Sequence, residues 1–295
     1  MPIVRDELIL GAVAYDPKVV TIWDGFKEWF LARGLPFDYV LFTNYERQVE
    51  AHFDGLVDLT WNSPLAWVES RRLGLLRGRT VRALAMRDSD CDLTSVIVVR
   101  AADPIRTLAD LRGKKVGVGA SDSPQATLIP LLHLAEAGLE PRKDFEVVLH
   151  DVLVGKHGDH IGGERDAARA LMRGGVDAAV VLDSNHLAFS KDGTLEPGLT
   201  RVLAQTKPFD HCNFTVLDDP KLGAKNSAKQ AAIDRFRDLC LGMSYADPAI
   251  RRLFDLEGLK QWKPGRTSGY APLERAVERF HYLDPWLASA AKHCA

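Results

Sequence analysis

Two stretches of the chain, FDGLVDLTWNSPLAW at residues 53–67 and MRGGVDAAVVLDSNH at residues 172–186, share one pattern. In each, glycine ends a predicted helix, Val-Asp opens a short apolar run, and a polar cluster precedes the next helix. Buried strands that alternate with helices are typical of largely parallel sheets covered on both faces. The repeated pattern therefore predicts two α/β lobes.

The same alternation of strands and helices continues outside the two copies. LILGAV at 8–13 and FDYVLFT at 37–43 read as strands, and the helix between them ends near Gly34. Asn44 is the predicted N-cap of the following helix. The length of 295 residues also favours two lobes over one.

Composition excludes several classes of partner. The net charge is −2, so there is no basic excess for nucleic acid or anionic membranes. No apolar run approaches the roughly 20 residues that span a bilayer, and we predict no membrane insertion. The cysteines at 91, 212, 240 and 294 have no CxxC spacing, and we expect free thiols.

The first residues, MPIVRDELILGAVAYD, read directly into a strand. Three charged residues precede the apolar run, and no small-residue cleavage site follows it. As it stands the sequence predicts a cytoplasmic protein, and a periplasmic one if a leader was removed from it.

One further motif carries a family resemblance. TLADLRGKKVGVG at 107–119 resembles a segment of the type 2 solute-binding proteins of ABC importers, and more narrowly of their phosphate, phosphite and phosphonate branch. The same resemblance holds for four other segments: VDLTWNSPLAWV (57–68), SVIVVR (95–100), GGVDAAVVLDSN (174–185) and LKQWKPGRTSGYAPLERAV (259–277). It covers roughly residues 8 to 283, with the segments in the family's order.

The resemblance implies an α/β fold of the type 2 periplasmic-binding-protein kind, with two lobes joined by a two-strand hinge. Lobe one is expected to comprise residues 1–100 and 211–295, and lobe two residues 101–210. Each lobe is a mostly parallel sheet flanked by helices. A small-molecule ligand binds in the cleft between the lobes, an ABC permease is the implied partner, and we predict a monomer.

Polar clusters follow the strand in both copies of the opening pattern. They are Trp61-Asn62-Ser63 and Asp183-Ser184-Asn185. Ligands of open α/β sheets bind at the carboxyl ends of strands, so both clusters are candidate ligand residues. The alternative for Ser63, which precedes Pro64, is a plain N-cap.

The family's phosphonate binders carry a Ser/Thr-rich run at the helix start after the Gly-rich strand, where hydroxyls and N–H groups hold the oxyanion. The matching run here is Asp122-Ser123-Pro124-Gln125. Pro124 has no N–H, and Asp122 places a carboxylate where an anion sits. Unit charges 4 Å apart repel by roughly 4 kcal/mol at an effective dielectric of 20. The alternative is an outward Asp122 and a capping Ser123.

Where the family tends to place a histidine before a lobe-two helix, this chain has Arg165. A guanidinium can hold a carboxylate or phosphate through two hydrogen bonds. Asp122 and Arg165 together predict a zwitterion or a polar solute with donor and acceptor ends, unless Arg165 lies on a solvated helix face.

Three aromatic residues, Tyr15, Tyr45 and Trp61, are candidate walls of the cleft, with a core position as the alternative for Trp61. His211, beside Asp210 and Cys212, falls where the chain is expected to return through the hinge. Neighbouring residues of a strand face opposite sides, so we expect no His211–Cys212 dyad.

The loop GKHGDHIGGERD at 155–166 contains His157, Asp159 and His160. His160 is a candidate ligand residue, but the spacing matches no metal motif, and we predict no metal. No P-loop or dinucleotide fingerprint is present, and we predict no cofactor. The glycines make a flexible loop, or a lid.

The sequence thus predicts binding of a small polar, anionic or zwitterionic solute, in the manner of the phosphonate-binding component of an ABC importer. The alternative is a cytoplasmic enzyme or ligand sensor built on the same fold, although no catalytic constellation is evident.

Overall fold

The structure is a computed structural model that describes residues 7–158, 163–218 and 227–292. Its contacts divide the chain into two compact units. Unit 1 takes the described residues of Met1–Cys91, His211–Ser268 and Asp284–Ala295. Unit 2 takes those of Asp92–Asp210 and Gly269–Leu283. The chain therefore passes from one unit to the other after Cys91, Asp210, Ser268 and Leu283.

Unit 1 is built on one sheet with strand order β11-β4-β10-β3-β1-β2. Its strands are β1 (Leu8–Val13), β2 (Phe37–Phe42), β3 (Leu59–Asn62), β4 (Thr80–Arg87), β10 (Asn213–Asp218) and β11 (Trp262–Pro264). Its helices are α1 (Lys18–Leu31), α2 (Tyr45–Phe53), α3 (Pro64–Arg77), α7 (Ser227–Leu241), α8 (Pro248–Glu257) and α10 (Asp284–Lys292).

The alternation of side chains along each strand gives this sheet two buried faces. On β1, Leu8 and Leu10 enter one core cluster, and Val13 enters another. The first cluster is rich in aromatic rings, because α1, α7 and β11 all contribute to it. Phe37 stacks on Phe236 with ring centroids 5.7 Å apart.

Unit 2 has strand order β7-β6-β8-β5-β9. Its strands are β5 (Ser95–Arg100), β6 (Lys115–Val118), β7 (Glu146–Leu149), β8 (Ala178–Leu182) and β9 (Thr200–Gln205). Its helices are α4 (Ile129–Glu136), α5 (Glu164–Met172), α6 (Asp183–Lys191) and α9 (Ala271–Arg279). A five-residue π-helical segment, Pro124–Leu128, leads into α4.

Unit boundaries differ from the expected ones at two places. The chain enters unit 2 at Asp92 rather than after residue 100, because β5 pairs with β8 and β9 of that unit. Gly269–Leu283, expected in lobe one, belongs to unit 2, where α9 packs on α4.

The α/β class is confirmed, but the sheets are mixed rather than mostly parallel. In unit 1, β1 pairs in parallel with β2 and β3, whereas β10 and β11 pair antiparallel. In unit 2, β6 lies parallel to β7 and β8, and β5 is antiparallel to both neighbours. The first strand after the chain passes into a unit is β5 in unit 2 and β10 in unit 1. Each runs antiparallel to the neighbouring strand of a βα repeat.

The predicted N-cap of α2 is confirmed. Asn44 caps α2, with its side chain accepting the Arg47 N–H at 2.9 Å. Among the described residues, Cys91, Cys212 and Cys240 form no disulfide bond, and Cys294 lies outside them. Among the helices that the structure describes, none has the length and apolarity needed to cross a bilayer.

Candidate functional site

The strand β6 ends at Val118, and the residues after it lead into the π-helical segment. Ser123 is the N-cap of that segment, since its hydroxyl accepts the Ala126 N–H at 3.1 Å. Its carbonyl also accepts the N–H groups of Thr127 and Leu128. The capping alternative for Ser123 is therefore the one observed.

Asp122 is buried, with 2% of its surface exposed. Its Oδ2 accepts the backbone N–H groups of Gly155 at 2.6 Å and His157 at 3.2 Å. Its Oδ1 has no hydrogen-bond partner among the residues that the structure describes. Burial raises the pKa of this carboxyl, against the lowering effect of the His157 charge and the N–H donors. Asp122 therefore does not point outward.

The loop that approaches Asp122 also packs on its neighbours. Gln125 donates from Nε2 to the Gly158 carbonyl at 2.7 Å, and Ser95 donates to the Gln125 carbonyl at 2.6 Å. Gly158 has a φ of +65°, and a Cβ there would lie 2.3 Å from Ser123 Oγ. Only glycine fits this position. Gln125 thus holds the loop, which sequence reasoning did not foresee.

His157 is fully buried, whereas Asp159 and His160 lie outside the described residues. The prediction for His160 as a ligand residue therefore stays a prediction.

Arg165 is engaged within unit 2. It donates to Asp192 Oδ2 and to Thr194 Oγ1, each at 2.6 Å, and its guanidinium lies 4.4 Å from the Phe189 ring centroid. The hydrogen bond from Arg165 lowers the pKa of Asp192 to about 2. A bound anion would have to displace Asp192 from the Arg165 guanidinium. The structure therefore does not support the expectation that Arg165 binds the anionic group of the ligand.

Acidic side chains also mark the carboxyl end of β8. Asp183 is the first residue of α6. Its Oδ2 accepts a hydrogen bond from Thr94 Oγ1 at 2.8 Å, and its Oδ1 accepts one from the Ser184 N–H at 2.6 Å. Ser184 itself is exposed. Glu164 is fully buried, and its Oε2 accepts from the Leu182 N–H at 2.8 Å and Asn185 Nδ2 at 2.9 Å. Since β6 and β8 are parallel neighbours, their carboxyl ends lie at one edge of the sheet.

This edge of unit 2 is therefore acidic, with Asp122, Asp183 and Glu164 along it. Sequence reasoning missed Glu164. The available signal was an acidic residue in the first turn of a helix that follows a glycine pair.

In unit 1, two of the three aromatic candidates lie in the core. Tyr45 and Trp61 are 1% and 4% exposed. The Trp61 ring contacts Phe214 at 4.7 Å and Trp262 at 5.7 Å between centroids. Because Trp61 shares its strand face with Leu59, it joins the aromatic cluster rather than a cavity wall. Tyr15 is half-buried and packs on the same cluster.

Asn62 and Ser63 serve internal structure in the same unit. Asn62 accepts from Gln48 Nε2 at 2.8 Å and donates to Ser70 Oγ at 3.2 Å and Thr215 Oγ1 at 3.0 Å. Ser63 caps α3 by accepting the Ala66 N–H at 3.1 Å. Gln48, which sequence reasoning missed, is fully buried in this network.

His211 belongs to a buried group of charged residues in unit 1. Arg87 donates to Asp90 from Nε at 2.5 Å and from Nη2 at 2.8 Å, and lies 3.1 Å from Glu257 Oε1. Burial alone would raise the pKa of Asp90, but the Arg87 charge and the hydrogen bonds of His211 and Arg87 lower it to about 2.

The expectation that His211 and Cys212 face opposite sides is wrong. His211 Nδ1 lies 3.1 Å from Cys212 Sγ and 3.5 Å from Asp90 Oδ1. The reason is that β10 begins only at Asn213, so the alternation of a strand does not apply to these two residues.

Comparison with known proteins identifies the class. Residues 14–270 match a family described as ABC transporter, phosphonate, periplasmic substrate-binding protein, and the chain belongs to this family. Its function is that of a substrate-binding component of an ABC importer, which implies a small-molecule ligand and a permease partner.

Solved structures with the same fold have low sequence identity. PhnD1 from Prochlorococcus marinus, in complex with methylphosphonate, is 18% identical with a TM-score of 0.66, covering 94% of this chain and 98% of that one. A Xanthomonas citri protein bound to chloride is 17% identical with a TM-score of 0.70, covering 93% and 98%.

The periplasmic aliphatic sulphonate binding protein SsuA from Escherichia coli is 19% identical with a TM-score of 0.56, covering 96% of this chain and 94% of that one. At these identities the likeness establishes the fold, which is that of type 2 periplasmic binding proteins.

Proposed function

We propose that this chain binds a polar solute that carries an ammonium or another hydrogen-bond-donating group, and that Asp122 receives this group. The observation that carries the proposal is the buried Asp122 carboxylate, whose Oδ1 has no partner among the described residues. Family membership makes phosphonates that carry an amino group the first candidates, and the likeness in fold to a sulphonate-binding protein adds aminosulfonates.

Electrostatics favour such a solute over a simple dianion. A carboxylate and a bound anion 4 Å apart repel by roughly 4 kcal/mol at an effective dielectric of 20. Asp183 and Glu164, at the same edge of the unit 2 sheet, add to the negative charge. Arg165 does not offset it, because Asp192 already pairs with that guanidinium.

Matched ligand pairs test the preference directly. The pairs are 2-aminoethylphosphonate with ethylphosphonate, and taurine with ethanesulfonate, since each differs by one amino group. We expect titration calorimetry to give the amino member a Kd at least about tenfold lower, which corresponds to about 1.4 kcal/mol. Equal affinities within both pairs would refute the role of a donor group.

The variant Asp122→Asn tests whether Asp122 causes the preference for ligands with an amino group. Asparagine keeps an acceptor oxygen for the Gly155 and His157 N–H groups but removes the negative charge. We expect the ratio of Kd values within each pair to fall by about tenfold, with ethylphosphonate binding more tightly than before.

The matched control is Asp166→Asn, since that carboxylate is about half exposed in the same unit. It should leave the ratio unchanged. An unchanged ratio in Asp122→Asn would place the discriminating group elsewhere.

A substrate-binding component of an importer also works in a particular compartment and with a membrane permease. The family is described as periplasmic, and we propose that this chain meets its solute there as a monomer, delivering it to the membrane permease. Fractionation of cells that express the native gene tests the compartment, and light scattering tests the monomer. Recovery only from the cytoplasm would favour a ligand sensor or enzyme on this fold.

A further inference from the structure

The buried group at Asp90, His211 and Cys212 in unit 1 combines three different metal-ligating atoms. Asp90 Oδ, His211 Nδ1 and Cys212 Sγ all lie within 4.8 Å of one another. Asp90 and Cys212 are each 2% exposed, and His211 is 8% exposed. A carboxylate, an imidazole and a thiol are the three side-chain types that bind zinc in proteins.

We propose that Asp90, His211 and Cys212 form a binding site for a divalent transition-metal ion of the zinc class.

The spacing of the ligand atoms supports this site. With a Zn–S bond of about 2.3 Å and Zn–N and Zn–O bonds of about 2.0 Å, a tetrahedral ion holds its ligand atoms about 3.3–3.6 Å apart. His211 Nδ1 lies 3.1 Å from Cys212 Sγ and 3.5 Å from Asp90 Oδ1. For these two pairs, shifts of a few tenths of an ångström would reach the tetrahedral spacing, whereas Asp90 and Cys212, whose ligand atoms lie within 4.8 Å, would close to about 3.5 Å around the ion.

The Asp90 carboxylate has enough lone pairs to bind both Arg87 and a metal ion at the same time. An ionised carboxylate offers about four lone-pair sites. Arg87 uses one on each oxygen, through Nε to Oδ2 and Nη2 to Oδ1. Oδ1 also faces His211 Nδ1 at 3.5 Å, and a metal ion between these two atoms would take the lone pair that now accepts from the imidazole.

The charges of the surrounding group also suit a divalent cation. Arg87 contributes one positive charge, and Asp90 and Glu257 contribute two negative charges to the same ion-pair network. Metal binding deprotonates the Cys212 thiol and adds a third negative charge. The filled site is then neutral, which a buried position favours.

The location of the site suggests a structural role. Asp90 precedes the first passage of the chain into unit 2, and His211 follows its return. The His211 N–H already donates to the Asp90 carbonyl at 2.9 Å. An ion at this place would fix the two unit 1 segments to each other.

The test uses the full chain, first stripped of metal with a chelator, and titrated with Co²⁺. We expect one equivalent to produce visible d–d bands together with a near-ultraviolet band from thiolate-to-metal charge transfer, and Zn²⁺ to displace both. Zn²⁺ should also raise the Tm of the metal-free protein.

Variants then assign the ligands. Cys212→Ser should abolish the charge-transfer band, and His211→Gln should lower the affinity for Zn²⁺ by at least about 10–100-fold, the range for loss of an outer partner. Cys240→Ser is the matched control, because Cys240 is equally buried in the same unit and lies outside the group.

Two results would overturn the site: no charge-transfer band with wild-type protein, or a band that survives Cys212→Ser. Both readouts are independent of solute binding. A failure of the metal site would therefore leave the role proposed for Asp122 untouched, and the reverse also holds. If Cys212→Ser fails to fold, the wild-type band and the Zn²⁺-dependent Tm still decide the question.

Discussion

At the scale of single residues, His52 shows how burial sets a charge state. It is buried in α2, where Nε2 lies 3.3 Å from the Asp58 carbonyl and Nδ1 lies 3.3 Å from Thr60 Oγ1. These contacts fit a neutral ring that donates from Nε2 and accepts at Nδ1. Desolvation, together with the Arg79 charge, lowers the pKa of His52 to about 3, against the raising effect of the Asp58 carbonyl.

This lowered pKa predicts a loss of stability in mild acid. Between an unfolded pKa of about 6.5 and the folded value, only the unfolded chain takes up the proton, so stability is greatest above pH 6.5. Going from pH 7.5 to pH 5 should cost about 2 kcal/mol at His52. Urea unfolding of wild type and His52→Gln at both pH values measures it.

His52→Gln keeps a donor near the position of Nε2 but cannot titrate. Its own loss between the two pH values should be smaller than that of wild type by about 2 kcal/mol. Parallel losses in the two proteins would mean that other groups cause the acid sensitivity.

Residue roles were harder to predict from the sequence than residue positions. Trp61 and Asn62 were correctly placed at a strand end, but their roles depended on which face each side chain occupies. The alternation along β3 sends Trp61 into the aromatic cluster and Asn62 into the network with Gln48. The helices that cover each face of the sheet come from distant parts of the chain. A short motif therefore cannot show what its side chains will contact.

At the scale of elements, the segment Gly155–Gly158 depends on one close approach. A side chain at Gly158 would meet Ser123 Oγ at 2.3 Å, in a backbone conformation with a φ of +65°. The segment also relies on hydrogen bonds to Asp122 and Gln125. It is therefore fixed to the start of the π-helical segment through both shape and polar contacts.

Gly158→Ala should displace this segment. Gly138→Ala is the matched control, because its φ is +83° but a Cβ there meets nothing within 4 Å. Both variants carry the strain of the left-handed conformation, about 1 kcal/mol or more. We expect Gly158→Ala to lose at least about 1 kcal/mol beyond the control, measured by thermal unfolding.

The displaced segment should also be cut more rapidly by trypsin at Lys156 than in the control variant. Equal stability and equal cleavage rates in the two variants would show that the segment does not depend on contact with Ser123.

The helices and strands themselves were well predicted. Periodicity located α1 and β1, and the caps at Asn44 and Ser63 fixed the starts of α2 and α3. Such signals are local, since caps and apolar spacing act within a few residues. The partner of a strand is not local, and β5 was accordingly assigned to the wrong unit.

At the scale of the whole molecule, unit 2 depends on a segment that is distant in sequence. The buried face of α9, which includes Leu273 and Val277, packs with α4. Two ion pairs tie the same helix to unit 2, Arg275 to Glu136 at 3.3 Å and Arg279 to Glu140 at 2.6 Å. A fragment of residues 92–210 would leave this face of α4 uncovered.

We therefore predict that residues 92–210 alone do not form a stable unit, whereas the same residues joined to 269–283 by a short Gly/Ser linker do. The join is feasible because the Asp210 N–H donates to the Gly269 carbonyl at 3.0 Å. Circular dichroism melting should show a cooperative transition only for the joined protein. A cooperative, soluble 92–210 fragment would contradict the role given to α9.

The alternating path of the chain between the units has a consequence for biosynthesis. Unit 2 lacks α9, and unit 1 lacks α10, until the residues after Gly269 have left the ribosome. Neither unit can thus complete its native packing while translation is still in progress upstream of that point. For most of its synthesis the nascent chain exposes unfinished apolar surface on both units, and such surface is what chaperones bind before folding is complete.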